Sequence, residues 1–221
     1  MKVEQVSEHI WSISSKLLLP IHVWLVVDDQ GVTLVDTGMK YMTKGIMKAI
    51  GKLNLGPLNR ILLTHGHGDH TGAVTGIMEQ CNVPVYAHEI EIPYLQGDLV
   101  YPRRKKLEAN LPKGLAKPLP TDTEGNLVKI GGLTPYFTPG HSPGHVAYYH
   151  EEDQVLLAGD LFTSKKGELR PPMKIFTGNM EEALQSSTII TKLTPVRIEV
   201  CHGNAVLNPA EQMKEYSAKY R

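Results

Sequence analysis

Apolar runs separated by turn residues dominate the first part of the chain. His22-Val23-Trp24-Leu25-Val26-Val27 and Gly31-Val32-Thr33-Leu34-Val35 flank the turn-forming spacer Asp28-Asp29-Gln30 and predict a β-hairpin. Met42, Ile46, Met47, Ile50 and Leu53 recur at helical spacing until Gly56-Pro57 ends the pattern ahead of a strand at Ile61-Leu62-Leu63. Residues 69–80 predict a second helix and Val83-Pro84-Val85-Tyr86-Ala87 another strand. The second half alternates strands with helices expected over 179–193 and 208–220, with Asn179 and Asn208 as their N-caps. Residues 93–123 break the rhythm, because Pro102, Pro112, Pro118 and Pro120 interrupt any regular element. Long loops over an α/β rim are where lids occur. Periodicity by itself supports an α/β fold and nothing finer.

Composition narrows the class. The chain has 221 residues, 41% of them hydrophobic, enough for one α/β domain spanning 1–221. Its 23 basic and 23 acidic residues cancel, which argues against a nucleic-acid or membrane partner held by bulk electrostatics. No apolar run of about eighteen residues occurs, and polar residues follow Met1-Lys2-Val3-Glu4-Gln5, so a cytoplasmic location is expected. Cys81 and Cys201 lie in apolar contexts that read as buried thiols, which suits a reducing compartment. Arg103-Arg104-Lys105-Lys106 reads as a solvated basic face, and Gly167-Glu168-Leu169-Arg170-Pro171-Pro172 as a candidate pocket wall.

The chemistry begins after the Ile61 strand. His65-Gly66-His67-Gly68-Asp69-His70 places three imidazoles and a carboxylate within six residues. Neutral imidazole with carboxylate oxygen suits catalytic zinc better than an all-oxygen or an all-thiolate set does. His141, Asp160 and His202 each end another apolar, strand-like run, so ligands far apart in sequence can converge at one rim of a sheet. His9, His22, His88 and His150 lack neighbouring ligands and read as ordinary core or surface residues.

Leu34-Val35-Asp36-Thr37-Gly38, Thr64 to Gly72, Thr138 to His145, Ala158-Gly159-Asp160 and Cys201-His202-Gly203 together resemble the metallo-β-lactamase-fold hydrolase superfamily, near its glyoxalase II and lactonase-like branch. The resemblance covers nearly the whole chain. It implies a four-layer αββα sandwich holding two divalent metal ions, zinc first, with manganese or iron as alternatives. By the same resemblance His65, His67 and His141 hold one ion, Asp69, His70 and His202 hold the other, and Asp160 bridges them. Asp36 orients the ligand loop, its other reading being a turn cap, and His145 supports the loop that carries His141.

The implied reaction is metal-assisted hydrolysis of a carbonyl substrate: an ester, thioester or lactone. A metal-bridging hydroxide is the expected nucleophile and Asp69 the proton carrier to the leaving group. The expected partner is a small-molecule substrate, with a homodimer left open. Glyoxalase II enzymes of the superfamily carry a helical glutathione-binding segment after the last metal His, whereas 19 residues follow His202. Lactonases place a Tyr after the bridging Asp, where Leu161-Phe162-Thr163 stands. A mononuclear-iron sulfur dioxygenase and a phosphodiesterase are the alternatives.

Overall fold

Side-chain alternation along the strands sorts the chain into two sheets with a core between them. The structure is a computed structural model that describes residues 1–16 and 19–220. The first sheet runs β1 (Lys2–Gln5), β2 (Ile10–Lys16), β3 (Pro20–Asp28), β4 (Gly31–Val35), β5 (Leu58–Leu62), β6 (Val85–Ala87), β7 (Ala116–Pro118). β1 to β4 form an antiparallel meander that contains the expected hairpin, and β4 to β7 are parallel. Helix α1 (Thr43–Leu53) crosses from β4 to β5, while α2 (Gly68–Thr71) and α3 (Val74–Met78) cross from β5 to β6. A short helix, α4 (Ile92–Leu95), opens the long connection to β7.

The second sheet sets β8 (Thr134–Phe137), β9 (Val146–His150), β10 (Val155–Leu157), β13 (Arg197–Glu199) and β14 (Val206–Leu207) side by side. β11 (Thr163–Lys165) and β12 (Glu168–Arg170) form a separate hairpin, and α5 (Met180–Ser186), α6 (Ile189–Leu193) and α7 (Met213–Tyr220) complete the chain. Val146, Tyr148, Val155 and Leu157 share a core with Trp24, Leu34 and Leu62 of the first sheet. The intervening Ala147, Tyr149 and Leu156 face the other way, onto Leu184, Ile190, Met213 and Tyr216 of the last three helices. Ile46 and Ala49 of α1, with Val74 and Ile77 of α3, close the opposite flank. The result is the αββα sandwich, because each sheet must bury both apolar faces. Between the sheets, Glu199 accepts from Trp24 Nε1 at 3.2 Å and from Arg197 Nε at 2.7 Å, so the buried carboxylate is matched by donors from both. No described helix is long and apolar enough to cross a membrane.

Local expectations fail where a distant partner captures the backbone. The helix expected over 69–80 splits in two: Thr37 N and Oγ1 both donate to the His70 carbonyl, at 2.7 and 2.9 Å, and Ala73 N donates to Thr37 Oγ1. Those groups are thereby withdrawn from the helical ladder. The helix expected over 179–193 breaks after Ser186, where Ser187 and Thr188 turn their hydroxyls onto the carbonyls of Leu184 and Gln185. Asn179 caps α5 by accepting from Glu182 N at 3.2 Å. Asn208, by contrast, sits at φ 46° with no capping side-chain bond and leads into a 3₁₀ turn before α7. Within 93–123, residues 116–118 do form a strand; its Pro118 is tolerated because β7 lies at the edge of the sheet.

The alternation makes a testable distinction. Leu157 is fully buried between the sheets and Leu207 is 65% exposed. Leu157→Ala is expected to cost about 2–5 kcal/mol by denaturant unfolding, and Leu207→Ala less than about 0.5 kcal/mol. Equal losses would contradict the assignment of faces.

Candidate metal centre

Asp36, His65, Asp160 and His202 follow the carboxyl ends of β4, β5, β10 and β13, and His141 follows β8. β4 and β5 are parallel, as are β10 and β13, so these tips meet at one rim. There His65 Nε2 lies 2.9 Å from His67 Nδ1, which lies 3.0 Å from His141 Nε2. The tautomers follow from the opposite ring nitrogens. The Thr64 hydroxyl donates to Asp36 Oδ2 at 2.7 Å, so it accepts from His65 Nδ1 at 3.1 Å. The Thr177 hydroxyl donates to the Met173 carbonyl and accepts from His141 Nδ1 at 3.3 Å. The inner nitrogens of His65 and His141 are therefore lone pairs, both turned to His67 Nδ1.

Beside this trio a second group gathers. His70 Nδ1 donates to Asp36 Oδ2 at 2.7 Å and His202 Nδ1 to the Pro20 carbonyl at 2.9 Å, which leaves each Nε2 facing the site. His70 Nε2 is 3.5 Å from Asp160 Oδ1; His202 Nε2 is 3.1 Å from Asp69 Oδ2 and 3.5 Å from Asp160 Oδ2. Asp160 Oδ2 also lies 3.3 Å from His141 Nε2, so this carboxylate stands between the two groups. His70 Nε2, His202 Nε2 and Asp160 Oδ1 are buried without any hydrogen bond. Imidazole nitrogens facing carboxylate oxygens in a dry site demand a positive charge between them, held as protons on His70 and His202 in the metal-free protein, and the ligand set suits a divalent cation. All seven residues expected as ligands share this rim, and Cys201 is buried beside the second group.

Two carboxylates brace the rim. Asp36 adopts φ 56°, strained for a residue with a Cβ, and in return its oxygens accept from Thr64 N at 2.8 Å, Thr64 Oγ1 and His70 Nδ1. Glu91, with no exposure, was not foreseen in the sequence. It accepts from Gly66 N at 2.8 Å and Tyr101 Oη at 2.9 Å on one oxygen, and from Ser142 Oγ at 3.0 Å and Gly144 N at 2.7 Å on the other. One side chain thus joins the His65–His67 turn to the loop of His141. Gly66 is required there by space, since a Cβ would collide with Tyr101 Oη and Leu95 Cβ. His145 accepts from Asp160 N at 3.2 Å through Nε2 and bonds Thr138 Oγ1 through Nδ1.

Charge follows the same division. Burial, reinforced by neighbouring imidazoles, keeps His65 and His141 neutral well below their ordinary pKa, holds His67 at about 4 and lowers His145 to about 3. Burial opposes charge on Asp69 and Asp160 too, but the surrounding histidines outweigh it, pulling Asp69 to about 2 and Asp160 well below its usual range. His202 is pushed up to about 12 against burial, chiefly by Asp160. One group therefore offers neutral nitrogens and the other anionic oxygens, while His70 and His202, both raised in the metal-free protein, would give up their protons to a divalent cation.

The rim opens into a cavity of about 220 Å³, where His67, Asp69, Asp160 and His202 meet Arg104, Glu108, Met173 and Phe176. Arg104 thus departs from the solvated reading of its basic run. The wall comes from Met173 and Phe176 rather than from 167–172. His88 stacks on Phe137 with centroids 4.4 Å apart, as a core residue would. His9 and His150, read as isolated, stack 5.1 Å apart beside Asp153, whose oxygens accept from Ser7 Oγ, His9 N and His9 Nδ1. That cluster is a satisfied pin between the chain's start and the turn after β9. Cys81 and Cys201 are free thiols.

A family model described as the metallo-beta-lactamase superfamily matches residues 18–202. The chain belongs to that superfamily. It is 36% identical, over the full length of both proteins, to the probable metallo-hydrolase YybB of Bacillus subtilis. It is 27% identical to the hydroxyacylglutathione hydrolase GloC of Haemophilus influenzae over 78% of each chain. Among solved structures, TTHA1623 in a di-iron-bound form superposes with TM-score 0.68 at 26% identity, covering 95% of this chain and 98% of that one. This metallo-β-lactamase fold therefore carries a divalent-metal centre and places the chain among metallo-hydrolases.

Two consequences are measurable. Glu91→Gln puts an amide N–H against donors and is expected to weaken metal affinity by roughly 10–100-fold in chelator competition, whereas Glu89→Gln, on the surface, leaves it unchanged. For the metal-free protein, the shifts of His67 and His145 are depressions, whereas His70 and His202 are raised and so carry their protons in the folded and the unfolded chain alike below pH 6.5. Below pH 6.5 the unfolded chain binds more protons than the folded one, so stability falls as pH drops from 6.5 through about 4 for His67 and about 3 for His145. Acid titration of the apoprotein, followed by chemical denaturation at each pH, checks the sign.

Proposed function

We propose that the chain is a dinuclear metal-dependent hydrolase of carbonyl substrates: lactones, thioesters or esters. The observation that carries this reading is the set of buried atoms without a hydrogen bond at the rim, His70 Nε2, His202 Nε2 and Asp160 Oδ1, beside the trio of inner imidazole nitrogens. His65, His67 and His141 would hold one ion, Asp69, His70 and His202 the other, with Asp160 placed between the two groups to serve both. Zinc is the first choice for this nitrogen and carboxylate set; the di-iron form of the TTHA1623 relative supports iron as the second. Divalent cations in such a centre polarise a carbonyl and bring the pKa of a coordinated water to about 7.

The chain's own groups do the rest. Asp69, ionised and partly exposed at the cavity wall, accepts a proton at Oδ2 and passes it to the leaving alkoxide or thiolate. Asp36, Glu91 and His145 fix the ligand geometry so that little reorganisation is needed during the reaction. The cavity of about 220 Å³ is smaller than the roughly 300–1,000 Å³ of drug-sized ligand sites, which favours a small acyl group. The relative named hydroxyacylglutathione hydrolase supports the thioester branch. A polyanionic phosphodiester finds one guanidinium, Arg104, among the cavity's lining, faced by Glu108. Action on a small soluble substrate is consistent with a cytoplasmic location.

The test is metal analysis of purified and reloaded protein, then a panel of aryl esters, acyl thioesters, lactones, phosphodiesters and a β-lactam. About two equivalents of metal and faster turnover of carbonyl substrates are expected. A stoichiometry fixed near one in iron would favour the sulfur dioxygenase, and phosphodiester turnover ahead by about tenfold, roughly 1.4 kcal/mol, would favour the nuclease-like branch.

A further inference from the structure

Arg104 stands apart from the rest of its basic run. Arg103, Lys105 and Lys106 are exposed, but the Arg104 side chain turns inward and lines the cavity beside His67, Asp69 and His202. The backbone around it is held on both sides. Arg103 Nη1 donates to the carbonyls of Lys174 and Thr177 at 2.9 and 3.0 Å, Tyr101 Oη bonds Glu91, and Asn110 Nδ2 donates to the Gly66 carbonyl at 2.8 Å. The guanidinium lies over the Phe176 ring, 5.2 Å from its centroid, a cation–π contact. Its one ionic neighbour, Glu108, is 3.7 Å from Nε, beyond hydrogen-bond range. Among the described residues none of its N–H groups makes a hydrogen bond. A fixed planar fork with free donors, opening into the site cavity, is a recognition element for an oxyanion.

We propose that Arg104 binds a carboxylate carried by the substrate, so that the enzyme selects small acyl compounds with a terminal carboxylate, whose aliphatic part lies against Met173 and Phe176. This rests on the hydrolase reading and names its substrate class. Glu108 decides between oxyanions. A single guanidinium with a carboxylate nearby matches a monoanion, while a phosphate dianion would face Glu108 with an unmatched charge. In the free enzyme Glu108 holds the guanidinium loosely, and the substrate carboxylate replaces that contact. Arg104 and Glu108 therefore act in opposite directions on substrate affinity, which a structural role for either would not produce.

The experiment uses the metal-loaded protein with two esters that share a leaving group, the mono-para-nitrophenyl ester of glutaric acid and para-nitrophenyl butyrate, and glutarate itself as a binding probe in calorimetry. Wild type is expected to favour the carboxylated ester. Arg104→Ala raises its KM by about 10–100-fold, drives the ratio of kcat/KM between the esters towards one and weakens glutarate binding equally, in line with the loss of charge-assisted hydrogen bonds. Arg104→Lys restores part of the preference. Glu108→Gln lowers the KM for the carboxylated ester, and Lys105→Ala, on the exposed side of the run, keeps the wild-type ratio. An ester ratio and a glutarate affinity that are the same in wild type and Arg104→Ala overturn the proposal while leaving the hydrolase reading intact. If neither ester nor any other carbonyl compound is turned over, the hydrolase reading fails, and the Arg104 dependence of glutarate binding still decides the anion site by itself.

Discussion

The structure depends on keeping imidazole nitrogens and carboxylate oxygens together at one buried rim. Five imidazole nitrogens and the oxygens of Asp69 and Asp160 converge at one rim, and the outer nitrogens of His65, His70, His141 and His202 are each engaged by Thr64, Asp36, Thr177 and Pro20. Engaging the outer nitrogen as a donor turns the inner one to the site: as a lone pair on the neutral His65 and His141, and on His70 and His202 once their protons are released. That arrangement is costly in a dry site. It persists because the sandwich around it buries enough apolar surface to hold the strand tips in place.

Asp36 and Glu91 carry that constraint into the fold. Each is a fully buried carboxylate whose acceptor capacity is filled by backbone and hydroxyl donors of the ligand loops. Asp36 joins β4 to the turn after β5, within the first sheet. Glu91 ties that turn to the loop between β8 and β9, and so links ligands contributed by the two sheets. The seam between sheets is thereby a polar network at one end and an apolar core along its length. Thr37 takes part in the same network, and by capturing the His70 carbonyl it ends α2 and lets His70 turn into the site.

The cavity adds a different kind of asymmetry. The chain as a whole is neutral, yet the wall facing the rim carries a guanidinium on a braced loop, in contact with an aromatic ring. Net charge reports on long-range fields and solubility; it says nothing about one cation turned inward. The guanidinium proposed to bind a substrate carboxylate is therefore placed on the long connection between β6 and β7, away from the strand tips that carry the candidate metal ligands.

Sequence alone determined the types of the candidate ligands, their order and their position at strand ends, because alternation, turn chemistry and donor softness are short-range properties written in neighbouring residues. The hairpin of β3 and β4, helix α1 and the Asn179 cap were legible for the same reason. The ligand-bracing role of Asp36 and the support from His145 were expected through the resemblance of local motifs. What only the tertiary structure decided were pairings across long separations: Glu91 meets Gly66 over 25 residues and Gly144 over 53. Nothing in His88-Glu89-Ile90-Glu91 distinguishes the buried glutamate from its exposed neighbour. The breaks in two expected helices, the union of His9, His150 and Asp153, and the inward turn of Arg104 belong to the same class. In each case the local sequence allowed more than one arrangement of similar energy, and packing from a distant segment selected one.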